Sequence, residues 1–391
     1  MSIQIVTRGY FYNMNNNIKS QIKSLTGLRF IMVMAIVFCH FEYFAYIYPI
    51  NVVYPEYWNF QVLGVDFFFL LSGFGMMLSN LNKQPTLKLR PRVIDVNYGI
   101  QHVRRLYPLY IVITLLCIIP SLYFEPYFGL KYEIPKFILS ISLLQSLTGM
   151  MYFAHAYNGV AWFLSSLFCI YLISPMMMFL MRKASKSLLS DIVLFCCSII
   201  ILVLLSQIFG VVQDYYAGKI FPKIDVLVYE SPVRRAFFVS AGMALSLIYY
   251  RVNEKLKVFL SQPHIASYIE FSVVVGAFLY YIGRNKLHWG MWNIVVDILF
   301  ASMFVFVFAF EKGFLSSMLS SRKMLLFGRM SMYIFLIHYP IRIYLGHIIE
   351  NWGGYDLLTS SLFTIFVLLT TFLLSYILII HSNSSDKKIS L

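Results

Sequence analysis

Charged residues are scarce: Asp, Glu, Lys and Arg make up 12% of the 391 residues, where an ordinary soluble domain carries about 25%. With 60% hydrophobic residues and a mean hydropathy of +0.73, that shortage excludes a water-soluble globule. Cysteine is sparse too. Cys39, Cys117, Cys169, Cys196 and Cys197 all fall inside apolar runs, which excludes a disulfide framework and zinc-ligand spacing. Residues 1–24 are polar and Asn-rich and lack the short apolar stretch and small-residue cleavage site of a secretory leader, so they read as a retained cytoplasmic segment, with Met14 as an alternative start. Metal, flavin and nucleotide-phosphate signatures are also missing, and residues 382–391 form a short cytoplasmic tail.

What is present is a series of apolar runs. They fall at about 25–47, 59–81, 105–123, 161–181, 189–209, 235–250, 265–283, 292–310, 327–349 and 357–380, and a crossing helix needs about 20 residues. A further run, Phe137 to Met150, is short for a crossing and predicts a re-entrant or interfacial piece. The formal net charge is +14, and the positive residues lie in the loops, which argues against a nucleic-acid binder. With a cytoplasmic N-terminus and a non-crossing 137–150, nine cations face outward: Lys131, Lys136, Lys219, Lys223, Arg234, Arg235, Arg284, Lys286 and Arg342. The other 31 − 9 = 22, Lys83, Lys88 and Arg90 among them, lie inside, as membrane topology favours. A crossing at 137–150 would instead expel Arg182, Lys183 and Lys186. The expected fold is therefore an all-α integral membrane domain over 25–381, with about ten transmembrane helices and both termini cytoplasmic.

Ionisable groups inside such spans are costly and mark function by default. In LTGLRFIMVMAIVFCH, Arg29 stands near the cytoplasmic end of the first run and His40 eleven residues later. At about 100° and 1.5 Å per residue, both point the same way and lie roughly 16 Å apart along the axis. A long phosphorylated donor entering from the cytoplasm suits that track, with phosphates at Arg29 and the reacting end at His40 as general base. Coenzyme A thioesters have this shape. The alternative is a snorkelling arginine and a hydrogen-bonded core histidine.

The same stretch resembles the opening signature of the integral-membrane acyltransferase family 3, the O-acyltransferases of surface polysaccharides. GVDFFFLLSGFGMML at 64–78, RRLYPLY at 104–110, WFLSSLFCIYLISP at 162–175 and FGRMSMYIFLIHYPI at 327–341 resemble further family segments in the expected order. The resemblance implies a ten-helix membrane fold and transfer of an acyl group, usually acetyl from acetyl-CoA, to a sugar hydroxyl of a polysaccharide or lipid-linked acceptor. It implies His40 as catalytic base and Arg29 as its essential partner, with a covalent acyl-histidine relay as the alternative route; low Gly and Pro with abundant Phe, Tyr, Ile and Asn suit a bacterial inner membrane. No bound cofactor is implied; acyl-CoA is a substrate.

Asp66, Ser72 and Gly73 belong to a shared family motif without an assigned role, and for Gly73 and Gly75 close helix packing is the expected use. Many members carry two arginines where this chain has Gln101 and His102. Arg104 and Arg105 are then the candidates for CoA phosphates, with topology signal as the alternative reading. Leu167 replaces a frequent glutamate after Trp162, and Met332 and Phe335 replace frequent tyrosines, leaving Ser331, Tyr333, His338 and Pro340. Ser331, Phe335 and His338 share a helix face, so His338 is a candidate for the His40 cavity or a structural histidine, and Asp66, Ser72, Trp162 and Ser331 are the further cavity candidates. Asp66, Asp297 and Glu270 are the expected partners of buried cations. Two rivals share this hydropathy: a flippase or transporter of lipid-linked sugars, which favours paired repeats and broken helices absent here, and a polysaccharide polymerase.

Overall fold

The computed structural model describes residues 22–46, 54–82, 91–125, 127–287, 289–351 and 356–389, and helix is the only regular secondary structure among them. Residues 1–21, Lys83, Lys88, Arg90 and the side chains of the tail 382–391 lie outside the described residues. Ten long helices coincide with the ten apolar runs: α1 Lys23–Cys39, α2 Tyr54–Asn82, α3 Tyr107–Phe124, α4 Trp162–Ala184, α5 Leu188–Tyr216, α6 Pro232–Phe259, α7 Pro263–Leu287, α8 Met291–Phe308, α9 Arg322–Asn351 and α10 Leu357–Ile389. Eight of them, all but α1 and α6, are long and apolar enough to cross a bilayer. The 17 residues of α1 span only about 25 Å. Helix α6 has 28 residues but carries Arg234 and Arg235 in its first turn and Arg251, Glu254, Lys255 and Lys257 near its end. The chain is an all-α, multi-pass membrane protein.

Polar ties at the helix ends define two faces of the bundle. At one face Glu311 accepts from the Lys23 and Ser24 backbone N–H groups at 2.5 and 3.2 Å, satisfying donors that the start of α1 leaves open. The Tyr249 hydroxyl donates to Ala309 O (3.1 Å), Arg182 donates to Asn80 Oδ1 (2.7 Å), and Arg251 pairs with Asp191. The ends of α2, α4, α6 and α8 therefore meet the starts of α1 and α5, the alternation that successive crossings require. At the opposite face Arg284 ends α7 against Asp297 on α8 at 2.8 Å.

Between α3 and α4 the chain turns back. Helix Leu130–Ile141 has Lys136 on Glu125 (3.1 Å) near the end of α3, while the Tyr107 hydroxyl, at the start of α3, donates to Ile141 O (2.7 Å). The helix thus descends antiparallel to α3. After the short turn Gln145–Thr148, the Met151 N–H donates to Asp225 Oδ1 (2.8 Å) in the loop before α6, back at the first level. The segment enters and leaves on one face, as its length predicts, but its helix begins at Leu130 and not near residue 137.

Helices α2 and α6 touch backbone to backbone. A Cβ on Gly73 would overlap Val239 O, and one on Gly242 would overlap Leu70 O. Likewise Gly328 of α9 rests on Thr26 O of α1, and Gly27 on Leu319 O. Without water to drive association, such small-residue contacts give helices the close approach from which dispersion holds them. Gly75 is a correction to the packing expectation: no atom lies within 4 Å of a Cβ built there.

A Gly73→Val protein is expected to lose most of its monodisperse material on size exclusion in mild detergent, because backbone must move to admit the side chain. Gly75→Ala should elute like the parent.

Candidate functional site

Helix α1 stops at Cys39, and His40 is its C-cap, with φ −85° and ψ 0°. Its Nδ1 lies 3.0 Å from Nε2 of His338 on α9, 298 residues away. The second histidine fixes the protons of the first. His338 Nδ1 is 3.0 Å from Ile334 O, which can only accept, so Nδ1 carries the hydrogen and Nε2 is bare. In the neutral pair His40 then donates from Nδ1, and its Nε2 keeps a free lone pair. Both rings are buried, His338 completely.

Pro340 shapes the same stretch of α9. It has no N–H for Leu336 O, and Asn158 Nδ2 donates to that carbonyl at 3.0 Å. Through this bond the loop before α4 docks beside the histidines. Gly159 completes the contact, since a Cβ there would come within 2.5 Å of the Tyr339 ring.

Two cavities flank the pair. The inner one, about 570 Å³, is lined by Arg29, Ser72, Gly75, Asn80, Gln101, His102 and Tyr171 among others, with Phe68, Phe163, Leu167 and Met332 as its apolar part. The outer one, about 260 Å³, is lined by Glu125, Met151, Tyr152, His155, Tyr157, Gly159, Tyr339, Ile343 and Tyr344. No residue belongs to both walls. His40 is in neither wall: Tyr339, edge-on to its ring at 5.2 Å, faces the outer cavity. Toward the inner cavity the rings run from His338 to Phe335 (6.2 Å) and on to Phe163 (5.4 Å). Arg29 and His40 therefore lie at different levels of α1 and do not touch.

In the inner wall Ser72 spends its hydroxyl on Phe68 O (2.8 Å). Helix Val96–Val103, capped by Asp95 on the Tyr98 N–H (3.0 Å), lies against α4 with Gly99 on Phe168 and Leu172. It turns Gln101 and His102 to the cavity, whereas Arg104 and Arg105 are exposed beyond its end and outside the wall. In the outer wall His155 Nε2 donates to Glu230 Oε1 at 2.6 Å. Burial pushes the Glu230 carboxyl up, and the His155 contact draws it down. This pair escapes sequence reasoning, because neither residue stands in a recognisable motif and 75 positions separate them.

The remaining candidates are structural in their contacts. Asp66 binds Arg235 Nη1 at 2.5 Å, and the guanidinium is caged by Phe69, Trp162, Tyr229 and Phe238 at 4.4–5.6 Å from their ring centres. Trp162 is thus part of a cation cage. Ser331 donates to Gly328 O inside α9 (2.9 Å). Asp297 pairs with Arg284, as its burial predicts. Glu270 does not hold a cation: it accepts from the Gly313 and Ser316 N–H groups, both at 3.1 Å, at the start of helix Phe314–Leu319. The partial positive charge of a helix start serves it instead.

The family model described as "Acyltransferase domain" matches residues 22–380. No curated protein and no solved structure matches.

Removing one member of the Asp66–Arg235 pair strands a buried charge. Asp66→Leu or Arg235→Met alone is expected to cost about 3–5 kcal/mol, and the double variant to recover most of it, read as thermal stability in detergent.

Proposed function

The chain belongs to acyltransferase family 3, and from that premise we propose that it moves an acyl group, most simply acetyl, from acyl-CoA on the cytoplasmic side to a sugar hydroxyl of a surface polysaccharide or its lipid-linked precursor on the outer side of a bacterial inner membrane. The observation that carries this reading is the His40–His338 pair standing between two cavities with separate walls. Each cavity has a size suited to part of a small-molecule substrate, with the inner one in the usual range of about 300–1,000 Å³.

The inner cavity receives the donor. Arg29 in its wall meets phosphate charge, as does the exposed pair Arg104 and Arg105 beyond its mouth, and the thioester reaches past Phe163. Separate cavities favour a relay over direct transfer. His40 Nε2, with its lone pair free, attacks the thioester carbonyl carbon; the C–S bond breaks and CoA leaves as a thiolate that is protonated at the cytoplasmic mouth. As Nε2 becomes acylated, His338 Nε2 takes the Nδ1 proton, so the acyl-imidazole is neutral. A sugar hydroxyl in the outer cavity then attacks the acyl carbon and regenerates His40. The tyrosines of that cavity offer flat faces and hydroxyls to a sugar ring.

Mass spectrometry of the surface glycan from wild-type, deletion and His40→Ala cells tests this, with the variant protein quantified in the membrane. The acetyl increment is expected to vanish in both altered strains. A change in glycan length or export with acetylation intact would transfer the assignment to a polymerase or flippase. Gly75→Trp, placed in open space in the inner wall, is expected to raise the KM for acyl-CoA at least about tenfold, the scale of a lost 1.4 kcal/mol, with the protein still folded.

A further inference from the structure

Transfer to a hydroxyl releases a proton in the outer cavity, where His40 Nε2 is occupied by the acyl group. We propose that His155, held by Glu230, is the base that removes this proton; the proposal rests on the relay described above.

The dyad has the geometry of a carboxylate-oriented imidazole. Glu230 is 4% exposed and accepts from His155 Nε2, while the His155 side chain is 26% exposed and forms part of the outer wall. With Nε2 carrying the hydrogen, Nδ1 holds the lone pair. Glu230 is itself held firmly: its N–H donates to Val226 O (2.8 Å) and its carbonyl accepts from Ser166 of α4 (2.8 Å). Its Oε2 is buried with no hydrogen-bond partner, an acceptor in reserve for an imidazolium.

The carboxylate of this wall and two of its tyrosines, Tyr152 and Tyr344, are engaged. Glu125 binds Lys136 (3.1 Å) and accepts from Ser121 (2.6 Å) and Tyr344 (3.2 Å). The Tyr152 hydroxyl is spent on Glu133 (2.6 Å). Arg235 and Asp66 are closed over on both sides, whereas this pair leaves its imidazole open to the cavity.

The step balances. Nδ1 of His155 takes the hydroxyl proton as the oxygen's electron pair forms the new C–O bond. The bond from the acyl carbon to His40 Nε2 breaks and returns its pair to nitrogen, while His338 Nε2 gives the proton it held back to His40 Nδ1. The His155 imidazolium, stabilised by the Glu230 carboxylate, passes its proton to water in the outer cavity. His155 is the catalytic residue here and Glu230 a positioning residue.

Two measurements separate the halves of the reaction: labelling of purified protein by radioactive acetyl-CoA alone, and transfer of that label to the endogenous glycan of native membranes. His155→Gln and Glu230→Gln are expected to label like the parent while glycan transfer falls about 10²- to 10⁴-fold, the usual worth of a general base. In His155→Ala, added imidazole should restore transfer, which no structural role for the ring would allow. Transfer within threefold of the parent in His155→Gln overturns the dyad alone, as does equal loss of labelling and transfer without imidazole rescue. Wild-type protein that labels glycan without ever holding label overturns the relay, and this proposal with it.

Discussion

Close approach of backbones at glycine positions is the constraint on which the rest of the molecule depends. In lipid, helices gain little from burying apolar side chains against one another, so they are held where surfaces fit and where polar groups find partners. Gly328 on Thr26 sets α1 beside α9 at one face of the bundle, and Gly27 on Leu319 sets it against helix Phe314–Leu319, which leads into α9. The two helices run parallel from that contact, and His40 and His338 meet farther along it. Gly73 and Gly242 do the same for α2 and α6, bringing Asp66 to Arg235. A hydrogen bond between residues nearly 300 positions apart thus depends on the side chains missing at Gly27 and Gly328.

Buried charge then sorts the bundle. Four buried carboxylates, Asp66, Asp297, Asp191 and Glu270, answer specific donors, Arg235, Arg284, Arg251 and a row of backbone N–H groups, and these contacts fix helix registers rather than add much net stability. Polar groups also line two cavities, the inner one around Arg29 and the outer one around His155.

Much of this was legible in the sequence, and the limits have physical causes. Long apolar runs reveal helices because a bilayer demands length and polarity together, so all ten long helices stand where hydropathy places them. The re-entrant segment was visible from its length, but its start at Leu130 was hidden because Lys131, Glu133 and Lys136 break the apolar run, and Lys136 is buried among Glu125, Glu133, Ser121 and two tyrosine rings. Partner choice was illegible. Periodicity places Arg29 and His40 on a common line but says nothing of His338, and it could not separate Glu270, which serves a helix start, from Asp66, which serves an arginine. Gly73 and Gly75 look alike in sequence and differ only in whether another helix lies opposite. Arg104 and Arg105 attract attention by charge, yet the amphipathic helix before them turns Gln101 and His102 toward the cavity.

The early stop of α1 has an electrostatic consequence. Its peptide dipoles align through Cys39 and end at His40, so the last carbonyls present the negative pole of the helix, about half an elementary charge, beside that ring. Any positive charge the imidazole acquires is met by a field that is already oriented. A carboxylate in that role would compete as a nucleophile, and a helix terminus does not.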